Sequence, residues 1–116
     1  MKYLGQMRTS LLTDSKIRPI QFRKWADAER EFARPGKDRK LVEELKESIA
    51  KVGLRKPIEL GISERFPDDV YVGDGHHRAI ALMELGVREF PFHWYWIKSF
   101  GVGMEHEPFP YHVLGL

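Results

Sequence analysis

Sixteen consecutive residues constrain this chain more than any others. Val70-Tyr71-Val72 is a short β-branched and aromatic run, Gly73-Asp74-Gly75 breaks it, and His76 to Leu85 follows with strong helix formers. Ala79, Ile80, Ala81, Leu82, Met83 and Leu85 leave that helix apolar nearly all round, which places it in the interior, and Gly86 stops it. A strand that feeds an interior helix through a glycine-bracketed turn requires a sheet with helices packed against it.

The flanking segments supply the rest of that layer. Ile17-Arg18-Pro19-Ile20-Gln21-Phe22 reads as a first strand at an edge position, because Pro19 cannot donate to a ladder. Trp25, Ala28 and Phe32 recur at helical spacing, and Arg34-Pro35-Gly36 ends that short helix. A longer helix follows, with Asp38 as its N-cap, an apolar stripe through Leu41, Leu45, Ile49 and Val52, and Gly53 as its stop. Ile58 to Ile62 alternates as a half-buried strand, and Phe66-Pro67-Asp68-Asp69 reads as the turn of a hairpin into Val70-Tyr71-Val72. Phe90 to Ile97, bulky on both faces, reads as a well-covered final strand. Residues 1–15 show no sustained period and are expected to form a flexible arm. Residues 16–98 form the domain, and residues 99–116 an extended tail that packs on it or on a partner. The expected class is α/β (α+β), a small mixed sheet flanked by helices.

Length and composition exclude several alternatives. At 116 residues the chain is one domain. Without cysteine it has no disulfides, thiolate metal sites or cysteine nucleophile. No apolar run reaches the roughly 18 residues of a membrane span, and the start lacks the core of a secretory signal, so a soluble cytoplasmic protein is expected. The net charge of +2 hides an asymmetry: residues 1–60 carry 15 Lys and Arg against 9 Asp and Glu, residues 61–116 only 4 against 8. A basic half can steer polyanions, although solvated helix faces give the same count.

The strand-to-helix junction also concentrates chemistry. The first amides of a helix have no internal partners, and the helix dipole adds positive charge, so phosphate is a natural occupant. Gly73 and Gly75 allow close backbone approach, and Arg78 can fork onto phosphate oxygens. His76 and His77 can accept a proton, donate a hydrogen bond or bind a metal. Asp74 can orient a histidine, act as a base, or share a divalent metal with His77; as a bare N-cap it would do none of these. Arg34, Lys37, Arg39 and Lys40 at the start of the long helix, and Arg55 and Lys56 after its end, are positioned to reach the same anion or to stay solvated. Glu44 and Glu47 are weaker candidates for a catalytic carboxylate. His106, Glu107 and His112 lack metal-ligand spacing. His93 reads as a satisfied strand residue, and Trp94 and Trp96 read as packing rather than as a base-stacking platform.

Two stretches together resemble the ParB/sulfiredoxin-like superfamily. Leu41 to Ile62, with Leu45, Ser48-Ile49, Gly53 and Lys56-Pro57-Ile58, is similar to its opening box. Gly73-Asp74-Gly75-His76-His77-Arg78-Ala79, followed by Leu82 and Leu85-Gly86-Val87, is similar to its second. The resemblance implies a mixed sheet with ligand phosphates on the second-box turn. It also implies a choice among nucleotide-dependent partition proteins, sulfiredoxins, a small-molecule kinase and nuclease-type domains. His76 stands where sulfiredoxins carry cysteine, which excludes their redox chemistry. Gly75 and His76 replace the arginines of partition proteins, and the tail holds no helix-turn-helix reader. What the resemblance leaves is a stand-alone ParB-like domain, of the sort common in phage and mobile elements. Such a domain would bind a nucleotide, a nucleoside triphosphate included, or nucleic acid. Phosphodiester hydrolysis or phosphoryl transfer, assisted by Mg2+ or Mn2+ on Asp74 and His77, is the implied chemistry. A non-catalytic module that binds DNA, or a protein through its tail, is the alternative.

Overall fold

Ile58, Leu60 and Ile62 are fully buried while Glu59 between them is half-buried, the alternation expected of a strand with one face on the core. That strand sits centrally in a mixed sheet. The computed structural model describes residues 1–98 and 101–116. In chain order the elements are β1 (Gly5–Arg8), β2 (Ile17–Pro19), α1 (Trp25–Ala33), α2 (Lys37–Val52), β3 (Ile58–Ser63), β4 (Phe66–Asp74), α3 (His76–Leu85), β5 (Glu89–Lys98) and β6 (Gly101–Met104), with 3-10 turns at Thr9–Leu11 and Tyr111–Leu114. The strand order is β1-β5-β3-β4-β2. Strand β3 is antiparallel to β4 and parallel to β5, and β2 is parallel to β4. On the other edge of β5, β1 pairs antiparallel with its first half and β6 with its last.

The interior helix is as the composition predicts: Ala79, Ile80, Ala81 and Leu82 of α3 are all fully buried. They share one core with Ile17, Ile58, Leu60, Ile62, Val70, Val72, Phe90 and Phe92 from the strands, and with Trp25, Phe32, Val42 and Ile49 from α1 and α2. Helix α1 is anchored at its start, where Asp14 accepts the Trp25 amide at 2.7 Å and the Trp25 indole donates to the Ile17 carbonyl at 2.8 Å.

Five local expectations are corrected. Residues 5–8 form strand β1 instead of part of an irregular arm; two inward residues, Gly5 and Met7, are too short a period to register without partner β5. Strand β2 stops at Pro19. The β3–β4 turn is Glu64-Arg65, two residues before the Pro-Asp-Asp run, which lies in the solvent-facing start of β4 where its turn formers are tolerated. The N-cap of α2 is Gly36, and its buried residues are Val42 and Ile49; Leu41 and Val52 are exposed because the stripe is rotated toward α1 and α3. The tail forms β6 and a final 3-10 turn, with Phe109 and Leu114 in the core. Phe109 meets Phe92 and Trp94 edge-on at 5.4 and 5.5 Å.

Candidate functional site

Strand β4 runs through Gly73 to Asp74, and Gly75, at φ 116°, turns the chain directly into α3. That left-handed φ is one that glycine adopts without the cost of a β-carbon. No side chain caps the helix start, so its first amides stay available. Beside them lies a cleft of about 410 Å³ lined by Gln21, Leu41, Leu45, Lys56, Asp74, Gly75, His76, His77 and Arg78. Two cations and one carboxylate line it, with apolar Leu41 and Leu45 facing from α2.

Arg78 is buried and does structural service. Its Nη1 donates to the carbonyls of Pro57 (2.6 Å) and Lys56 (3.1 Å), and Nη2 to Asp74 (3.1 Å). These bonds tie the entry of β3 to the start of α3. Of the five N–H groups of a guanidinium, the Nε proton and one on Nη2 have no partner among the described residues. Asp74 is therefore an ion-pair partner and not the N-cap: its Oδ2 also lies 3.9 Å from the Lys56 ammonium.

The two histidines differ. His76 is buried, and its Nε2 accepts the backbone N–H of Ile20 at 3.1 Å and of Gln21 at 3.3 Å, fastening the segment after β2. Burial, and then the proximity of His77, holds it below the ordinary imidazole value. Those bonds occupy its one acceptor nitrogen, so a catalytic role for His76 finds no geometric support. His77 is partly exposed; its Nε2 lies 2.8 Å from Oδ1 of Asp38, and its ring stacks on Phe32 at 4.3 Å and 9°. Gly73 is needed by the sheet, because the Tyr95 hydroxyl fills the space of its missing β-carbon.

No cluster of three His, Cys, Asp or Glu able to hold a metal ion occurs among the described residues, and Asp74 is already paired with Arg78 and Lys56.

Of the basic group around α2, only Lys56 reaches the cleft. Arg34 is exposed and pairs with Glu31 one helical turn back; Lys37, Lys40 and Arg55 are exposed away from it. Arg39 joins α2 to α3 through Glu84 (2.7 Å) and pairs with Glu43 one turn on in its own helix. Glu44 and Glu47 face solvent. His93 Nδ1 bonds the Tyr3 carbonyl at 2.8 Å, His106 bonds that of Met1, and His112 is exposed. Trp94 is core, its indole donating to the Glu107 carbonyl at 2.8 Å, and Trp96 packs against it. The residues missed from sequence are Asp38 as a histidine partner, Phe32 as its stacking platform, and Gln21, Leu41 and Leu45 as cleft walls. The one signal for Leu41 is that it stands beside Val42 on a stripe wide enough for only one of them.

Mixed sheet, interior helix and glycine turn define an α+β domain of the ParB/sulfiredoxin-like fold, and solved structures bear this out. Sulfiredoxin from Arabidopsis thaliana superposes with a TM-score of 0.54 at 22% identity, over 79% of this chain and 83% of that one. The C-terminally truncated chromosome-partitioning protein ParB from Caulobacter crescentus, complexed with CTP-gamma-S, gives 0.55 at 19% identity over 85% of this chain. This chain matches 47% of that ParB chain, about half its length. No family model and no curated protein matches the sequence. Among the described residues no helix is long and apolar enough to cross a membrane.

Proposed function

We propose that this cleft binds the phosphates of a nucleotide. The observation that carries the reading is a convergence on one cleft of uncapped α3 amides, the remaining Arg78 N–H groups, the Lys56 ammonium, and apolar Leu41 and Leu45. Helix amides with a guanidinium suit phosphate oxygens. An apolar wall suits a base or sugar, and a volume of about 410 Å³ lies within the usual range for small-molecule sites. The ParB of the same fold was solved with CTP-gamma-S, which supports a nucleotide over an extended nucleic-acid strand. Fold alone does not carry function; the residues lining the cleft do.

Calorimetry and thermal unfolding against CTP, ATP, ADP and short single- and double-stranded DNA, with and without magnesium, test this reading. A nucleotide at about a hundred times its dissociation constant should add roughly 2.7 kcal/mol of stability. Binding should weaken in Lys56→Ala. A response to DNA alone would replace the nucleotide with nucleic acid; no response to any of these ligands would end the phosphate reading.

A further inference from the structure

Adjacent in sequence, His76 and His77 are held in opposite tautomers. A nitrogen that accepts two amide N–H groups carries no proton, so His76 holds its proton on Nδ1. A carboxylate can only accept, so His77 holds a proton on Nε2, facing Asp38. In neutral His77 the lone pair is therefore on Nδ1, which has no hydrogen bond to any described residue. Phe32, stacked at 4.3 Å, fixes the plane of the ring, and the ring lines the cleft at the first turn of α3. Both rings line the cleft, but the acceptor nitrogen of His76 is taken by two backbone amides, whereas that of His77 has no bond to any described residue.

We propose that His77 is a general base for a hydroxyl nucleophile in this cleft and that Asp38, from α2, is the positioning residue that sets its tautomer. The inference rests on the nucleotide reading above. In the step implied, an O–H bond of water breaks and its proton passes to Nδ1 of His77. The oxygen forms a new bond to the terminal phosphorus, and the old P–O bond breaks with its electron pair leaving on the departing nucleoside phosphate. Asp38 then faces the imidazolium across 2.8 Å and stabilises it. A purely structural Asp38–His77 clamp between α2 and α3 makes a different prediction: helix stability depends on it, and turnover does not.

The test combines two measurements on the full chain. Imidazole 15N NMR should show His76 protonated on Nδ1 and His77 on Nε2; the reverse assignment for His77 overturns the proposal. Phosphate release from CTP and ATP is then followed at single turnover in wild type, His77→Gln, Asp38→Asn and Asp38→Glu, with nucleotide affinity measured alongside. Turnover is expected to fall about 10²–10⁴-fold in His77→Gln and Asp38→Asn. Affinity should change little, and Asp38→Glu should recover part of the rate. Nucleotide binding without turnover in wild type, or unchanged turnover in Asp38→Asn, overturns the base proposal and leaves the binding site standing. Absence of nucleotide binding overturns both.

Discussion

The hydroxyl of Tyr95, on β5, stands where a β-carbon on Gly73 of β4 would stand. The Tyr95 ring lies across the sheet, close enough to Gly61 of β3 that a β-carbon there would meet it too. The first glycine of the site turn is therefore required by its own sheet, and only Gly75, at φ 116°, is required by the turn itself.

Gly73→Ala should consequently destabilise the fold by roughly 1–3 kcal/mol through overpacking. Tyr95→Phe removes the atom nearest the new methyl, so the double variant should recover part of the loss in a urea-unfolding cycle. Additive single effects would show that the two residues do not compete for that space.

Arg78→Ala is expected to cost about 1–3 kcal/mol, because it removes a buried side chain and strands the Lys56 and Pro57 carbonyls that its guanidinium satisfies. Loss of ligand binding in that variant is thus no measure of a phosphate contact. Lys56→Ala is the cleaner probe: its side chain is 72% exposed, so stability should change by less than about 0.5 kcal/mol while nucleotide affinity falls. Equal stability losses in the two variants would contradict the assignment of Arg78 as the structural member.

His76 sets a pH dependence. Its folded-state value lies below the ordinary 6.5 because of burial and then His77. The unfolded chain therefore takes up a proton that the folded site resists. Its contribution to stability is complete above about pH 6.5 and is lost as the pH falls below that value. Asp69 and Glu84 are also held low, by Arg18 and Arg39 respectively, but their losses begin near the ordinary carboxylate range. Melting temperature should decline from pH 7 to 5 in wild type and less steeply in His76→Gln, whose amide oxygen can accept the same two N–H groups. Parallel slopes would show that His76 titrates freely.

Phe109 tests the tail. It is 3% exposed and packs edge-on against Phe92, Trp94 and Tyr111. Phe109→Ala should cost about 3–5 kcal/mol in chemical unfolding. A loss below about 1 kcal/mol would mean that the tail is not part of the core and is available to a partner.

Helix periods and glycine stops were legible because they are local. Trp25, Ala28 and Phe32 mark α1, Gly53 and Gly86 end α2 and α3, and the uniform apolarity of Ala79–Leu82 marks the one interior helix. The Pro67-Asp68-Asp69 run misplaced the β3–β4 turn because local turn preference yields to strand pairing when the residues remain in solvent. Strand β1 was illegible because its partner, β5, lies some eighty residues away.

By itself the sequence determined that a strand, a glycine turn and a buried helix meet at residues 70–85, and that an acid, two histidines and an arginine gather there. Those are properties of residue type and spacing, which backbone sterics and hydrophobic period translate directly into local structure. Only the tertiary structure decided which of those groups belong to the core and which to the cleft. His76 and Arg78 are bonded to segments 55 and about 21 residues away, and His77 to Asp38 across 39. The protonation site of an imidazole and the donors remaining on a guanidinium depend on partners brought up by chain folding. No local pattern of residues encodes them.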